Sequence, residues 1–217
     1  NNTTSFTPED AQLREFIAFD PEQNFPSPSF VRQIENQNLH ALNIPELTII
    51  TPAALQTEAE RVAQLHREEG LTVAVIEQEK IFNEFSSGTP DASAYRRLMK
   101  MFYDRAEGNE NVRPRYLLLF GDGSYNNRKS MEKLHSPECN MLLTYQSKTS
   151  IDERESFVIE DYFGFLEDNS GEEIKVDKVC LGIGRFPISS IKNARLVVDK
   201  LYRYVHDKDF SSWKNNI

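Results

Sequence analysis

"RYLLLFGDGSYNNR", residues 115 to 128, decides how the rest of the chain is read. An apolar run of strand-forming residues passes directly into an aspartate bracketed by Gly121 and Gly123, then into a polar loop. A short apolar run bounded by turn residues reads as a buried strand. The two glycines permit a tight exit from it. Three chemistries could use an acid at that place: a phosphate cradle, a cation loop, or one edge of a cleft. The phosphate cradle fails, because no third glycine and no immediate helix follow, and Asp122 would repel a phosphate.

Working outward, "ELTII" (46–50) is a short β-rich run ending at Thr51-Pro52. Threonine as a cap and proline in the first turn predict a helix from Pro52 to about Glu69, closed by Gly70. Its inward face carries Leu55, Ala59, Val62, Ala63 and Leu65 or His66. "LTVAVI" (71–76) is the next strand, and "KIFNEFSSG" (80–88) a short connecting segment. A second helix begins near Thr89-Pro90-Asp91 and places Tyr95, Leu98, Met99, Phe102 and Ala106 on one side. After the opening stretch, "NMLLTY" (140–145) reads as a fourth strand and "KVCLGIG" (178–184) as a fifth. A last helix, Ile188 to about His206, aligns Ile191, Ala194, Val198, Leu201 and Val205. Strands alternating with helices predict an α/β fold: a mainly parallel sheet with helices on both faces.

Residues 1–45 look different. "REFIAFD" can be a strand, but "PEQNFPSPSFV" is proline-rich, so this part is expected to be an extended connector from an upstream domain. Residues 46–210 form the α/β unit, and 211–217 begin a link to a further subdomain. The absence of an initiating methionine and the ending "DFSSWKNNI" suggest a piece of a longer protein. No apolar run approaches the roughly 20 residues of a membrane-spanning helix.

The chain carries 25 basic and 34 acidic residues, a net charge of −9. General nucleic-acid binding is thereby disfavoured, since it depends on a basic surface. Between Asp152 and Lys178 ten acids face three bases, so this stretch alone supplies −7. Within it, "EDNSGEE" (167–173) gathers oxygen donors around a glycine, and Asp168 and Glu172 are candidate ligands of a hard cation such as calcium. The other reading is a solvated turn between two strands, bent at Asn169 and Gly171. The spacing is not that of a helix–loop–helix calcium site, and no cofactor is required. Four scattered histidines lack zinc-ligand spacing, and there is no G-x-S-x-G elbow. Cys180 lies in the apolar strand pattern as a small buried hydrophobe. Cys139, four residues after His135, has no positioned base by sequence alone.

In open parallel sheets, functional loops gather beyond the carboxyl ends of the strands. Asp122, Asp161 of "EDYFG" and Arg185 of "GIGRFP" are accordingly the candidate cleft-lining residues. For Asp122 the alternative is a cap on the amides leaving the strand. For Arg185 it is a structural ion pair with the acidic stretch.

Several phrases taken in order carry a resemblance: "LTIITP", "HREEGLTVAVI", "IFNEFSSGTPDASAYRRLMKMFYDR", "PRYLLLFGDGSYNNR", "EDYFG" and "GIGRFPISSIKNARLVVDKLYRY". Together they resemble the first half of the peptidase domain of the gingipain family of cysteine peptidases, and most of all its sortase branch in the type IX secretion system. The resemblance implies a caspase-like α/β/α fold of two side-by-side subdomains, of which this chain is the first. It implies a cysteine nucleophile and a histidine in an "HG" motif, both in the second subdomain. No "HG" dipeptide occurs here, so no catalytic residue is carried over and the dyad is expected beyond Ile217. It further implies cleavage of C-terminal signal domains from secreted cargo and transfer of that cargo to anionic lipopolysaccharide. Partners would be the second subdomain, the cargo and outer-membrane secretion components, at the extracellular face of the outer membrane. The fragment alone would be inactive. The competing expectations are a non-catalytic interaction module of a secretion machinery and a calcium-stabilised structural domain.

Overall fold

The computed structural model describes residues 33–128, 141–147, 151, 152 and 154–207, with isolated positions between 17 and 30. The chain divides into two compact units, Asn1–Asn36 and Gln37–Ile217. In the first, the rings of Phe19 and Phe25 meet edge to face with centroids 5.8 Å apart. The second holds the sheet and the helices that follow.

Strands β1 (Leu47–Thr51), β2 (Val73–Glu77) and β3 (Tyr116–Phe120) are followed by the two-residue strands β4 (Asp122–Gly123) and β5 (Met141–Leu142), then by β6 (Gly182–Phe186). The main sheet has the order β2-β1-β3-β6, and each of its pairings is parallel. Every residue of β1, one of the two inner strands, is buried. Alternate side chains leave it in opposite directions and seed two cores. Leu47 and Ile49 join Leu55 of the turn before helix α1 (Gln56–Glu68), Ala59, Val62 and Ala63 of that helix, and Ala194 and Val198 of α4 (Ile191–His206). Ile50 joins Ile81 and Phe82 of α2 (Gln78–Phe85) and Tyr95, Leu98, Met99 and Phe102 of α3 (Ser93–Arg105). Helices therefore cover both faces of a parallel sheet, the α/β architecture read from the sequence.

Local chemistry explains the ends of α1. Pro52 adopts φ −70° and ψ 153° and starts a 3-10 turn, Ala53–Leu55, that winds into the helix. Thr51 does not cap it: its hydroxyl donates to the carbonyls of Phe120 and Pro52, each at 3.2 Å, tying β1 to β3 instead. At the other end Gly70 takes φ +97°, its amide bonds Arg67 O and the Leu71 amide bonds His66 O. That is a Schellman ending, which needs a residue free to adopt a left-handed conformation.

Four expectations are corrected. The segment 80–88 is largely helical: α2 follows β2 without a loop, with no side-chain cap at its start, and is held by burying Ile81 and Phe82. "NMLLTY" supplies no strand to the main sheet, since only Met141 and Leu142 pair, with Asp122 and Gly123. Leu142 and Leu143 are both buried, so they do not alternate, and Leu143 N bonds the Tyr95 hydroxyl at 3.3 Å rather than a strand. The last strand begins at Gly182, not near Lys178. Cys180 lies before it, half-buried, with its amide on Gly164 O at 2.8 Å. On α4, Ala194 and Val198 are buried and Leu201 partly so, but Ile191 and Val205 are 45% and 41% exposed. The helix rests on α1 and the sheet along its middle, and β3 is the one strand paired with β6 among the described residues.

Candidate functional site at the carboxyl edge of the sheet

The parallel strands direct their carboxyl ends to one edge, where β3 leads into Gly121-Asp122-Gly123 and β6 into Pro187 and Ile188. Arg185, the fourth residue of β6, pairs in register with Leu119 and organises this edge. Its Nε and Nη2 donate to the two carboxylate oxygens of Glu160 at 2.8 and 3.1 Å. Its Nη1 donates to Gly121 O and Asp122 O at 3.2 and 3.3 Å, and Nη2 also reaches Leu143 O at 3.3 Å. The Arg185 side chain is 12% exposed and that of Glu160 29%. A bidentate guanidinium–carboxylate fork of this burial is a strong, directional contact.

Further polar contacts stitch the same loops. The Asn127 amide nitrogen donates to Thr144 O at 2.7 Å, and its oxygen accepts from Thr144 N at 3.1 Å. The Thr144 hydroxyl donates to Ser124 O at 2.7 Å. Beneath them the Tyr95 hydroxyl donates to Gln78 Oε1 at 2.7 Å, while Gln78 Nε2 donates to Met141 O at 2.9 Å. Tyr145 stacks on Tyr162 with centroids 3.4 Å apart, and the Arg96 guanidinium lies 5.5 Å from the centre of the Tyr162 ring. Gly123 is required by this packing: a Cβ there would sit 2.8 Å from Thr144 Cγ2 and 3.3 Å from Arg185 Cζ.

Of the three candidate cleft residues, two meet, through Arg185 and the Asp122 carbonyl. The Asp122 carboxylate accepts from the Gly123 amide at 2.8 Å. Asp161 is exposed at the start of the 3-10 turn Asp161–Gly164, and its neighbour Glu160 takes Arg185. Glu160, Asn127 and Thr144 went unremarked in the sequence. The signal for Glu160 lay in "EDYFG", where either acid could have been the partner.

The acidic stretch 167–173 bends at Asn169 (φ 61°) and Gly171 (φ +95°), as a turn would, but it joins the 3-10 turn to the approach of β6 rather than two strands. Asp168 bonds Lys100 at 2.8 Å, and that ammonium holds its carboxyl below the ordinary 3.8. Glu172 is exposed, and Asp177 accepts from the Gly171 and Glu173 amides at 2.6 and 3.2 Å. Among the described residues no group of three or more His, Cys, Asp or Glu gathers as metal ligands. Cys139 and His135 lie outside the described residues.

A cavity of about 930 Å³ opens at the opposite, amino end of the strands, lined by Leu47, Val62, His66, Tyr116, Phe186 and Leu201 among others. It runs from there along the face of the sheet as far as Phe186, the last residue of β6.

Three comparisons bear on this arrangement. Residues 40–217 match the model of Peptidase family C25. The crystal structure of dimeric latent PorU from Porphyromonas gingivalis is similar at a TM-score of 0.73 with 42% identity, over 84% of this chain and 18% of that one. The chain thus spans under a fifth of that relative's length. No curated protein matches.

Proposed function

This chain belongs to peptidase family C25, the gingipain family, and on that premise we propose that it is the scaffold half of a sortase whose reacting residues lie outside these 217. Its likeness to PorU at 42% identity carries the reading. As a gingipain-like peptidase scaffold, it brings the strand exits and their cross-linked loops to one edge, where an adjoining subdomain would place a cysteine and a histidine. The thiolate of that cysteine attacks the scissile carbonyl while the histidine relays the proton to the leaving amine. The acyl-enzyme is then released to water, or to an amine of anionic lipopolysaccharide if the amine arrives first. In this reading the substrates are secreted cargo proteins with C-terminal signal domains. The full protein works with outer-membrane secretion components at the extracellular face, and these residues alone are inactive. The side of β6 away from β3, which pairs with no strand among the described residues, and the exposed Val197 of α4 suit a sheet that continues into a second subdomain.

The test is labelling of the full-length protein with a thiol-reactive peptide, the modified residue being mapped by mass spectrometry. Modification of a cysteine outside these 217 residues, lost when the histidine of a following "HG" motif is replaced, is the expected result. Specific modification of Cys139 or Cys180 would move the reaction into this chain. No specific modification would leave a binding role and overturn the peptidase reading.

A further inference from the structure

A guanidinium has five N–H donors. All five of Arg185 are engaged: Nε on Glu160 Oε1, two from Nη1 on Gly121 O and Asp122 O, and two from Nη2 on Glu160 Oε2 and Leu143 O. No donor remains for a substrate, so its contribution to a cleft must act through what it holds. It holds three segments distant in sequence: the exit of β3, the stretch after β5 and the residue before the 3-10 turn. Two consecutive carbonyls, Gly121 O and Asp122 O, turn toward one nitrogen. Gly123 leaves the room for this, since its Cβ would press on Arg185 Cζ and Thr144. The loop geometry and the ion pair therefore require each other.

We propose that Arg185 and Glu160 are a positioning pair that fixes the rim of the peptide-binding cleft by locking the β3 exit to residues 143–145; this rests on the peptidase reading above. Lysine cannot replace the arginine, because an ammonium lacks the planar fork that matches a carboxylate and reaches three carbonyls at once. A rim displaced by about 1 Å lowers the rate of acylation by up to about 100-fold even when substrate still binds.

The experiment uses full-length protein, wild type and the variants Arg185→Lys, Glu160→Gln and the double variant. A thiol-reactive peptide measures the maximal inactivation rate separately from the affinity, and amide hydrogen exchange follows residues 121–128 and 141–145 against α1 and α4. The expected result is a fall of about tenfold or more in the maximal rate for Arg185→Lys. Affinity changes less, exchange rises only in the two loops, and the double variant is no worse than Arg185→Lys. Faster loop exchange with an unchanged rate would reduce the pair to a structural tie and overturn the proposal, as would unchanged exchange. If Arg185→Lys does not fold, Glu160→Gln decides, because it removes the charge pair while leaving the guanidinium its carbonyls; a normal rate in that variant overturns the proposal. A wild-type protein that the probe never labels fails the peptidase reading itself, and is distinguished from a labelled wild type whose variants match it.

Discussion

Arg185 and Arg115 lie toward opposite ends of neighbouring strands. Arg185 is 12% exposed and makes bonds to one carboxylate and three carbonyls. Arg115 is 54% exposed, reaches Glu46 at 3.4 Å and lies over the Tyr116 ring at 5.4 Å. The difference follows from what the backbone does at each end. At the amino end the chain enters the strands with its own amides and carbonyls paired, as Arg115 N and Tyr116 N both bond Glu46 O at 2.9 Å. At the carboxyl end it turns away from the sheet, and the carbonyls of Gly121, Asp122 and Leu143 need side-chain donors. An arginine partly withdrawn from water and holding such carbonyls matters far more than one on the surface.

Removing the guanidinium is the strongest way to break this comparison. Arg185→Ala strands the Glu160 carboxylate and three carbonyls, and is expected to cost about 3 kcal/mol in the full-length protein. Chemical denaturation checks it, with a lowered melting temperature as a second readout. Next comes Tyr95→Phe, which deletes the buried hydroxyl between Gln78 Oε1 and Leu143 N. Leaving those groups unpaired is expected to cost about 2 kcal/mol without disturbing α1 or α4. A measured cost near zero would show that water replaces the hydroxyl.

Glu84 sharpens the comparison from the side of an acid, since it too holds irregular backbone. Its carboxylate accepts from Leu39 N at 2.7 Å and Gln37 Nε2 at 2.8 Å, and lies 2.7 Å from His40 Nδ1. Burial pushes the Glu84 carboxyl up, but the Leu39 amide, the Gln37 amide and His40 outweigh it and hold it below the ordinary 4.5. A folded value below the unfolded one means stability that is present above pH 4.5 and lost as pH falls through the lower folded value. Glu84→Gln should therefore lower stability at neutral pH and flatten the acid limb of the stability profile, read by melting between pH 3 and 7 (about the range in which carboxylates titrate). An acid limb as steep as that of wild type would remove Glu84 as its source. The smallest effect belongs to Arg115→Ala, for which the melting temperature is expected to stay unchanged within error.

The sequence was most legible where one helix face or one strand carried the information. Tyr95, Leu98, Met99, Phe102 and Ala106 are all buried, as their spacing predicts, because α3 lays one continuous stripe on the sheet. Legibility failed where burial came from two directions. Leu142 and Leu143 look like strand residues, but they lie in one core with Tyr95, Phe163 and Phe165, and the Leu143 amide and carbonyl bond the Tyr95 hydroxyl and the Arg185 guanidinium rather than a neighbouring strand. The start of β6 was misplaced for a related reason. The apolar run begins before the strand, where Cys180 is already tied to Gly164, and Gly182 and Gly184 give the strand weak local preference. In the candidate site, Arg185 was visible as a charge ending a strand, but its partner was not, because ten acids in the stretch from Asp152 to Lys178 are equivalent on paper.

The sequence alone determined the α/β class, the family resemblance and the position of the Gly-Asp-Gly exit at the carboxyl end of a buried strand. Periodicity, glycine and proline are local properties, and they act over a few residues. Only the tertiary structure decided that Glu160, rather than its neighbour Asp161, takes Arg185, and that the Gly121, Asp122 and Leu143 carbonyls converge on one guanidinium. Those choices depend on contacts 25 to 64 residues apart in the chain, whose energies exist only once the sheet has brought the segments together.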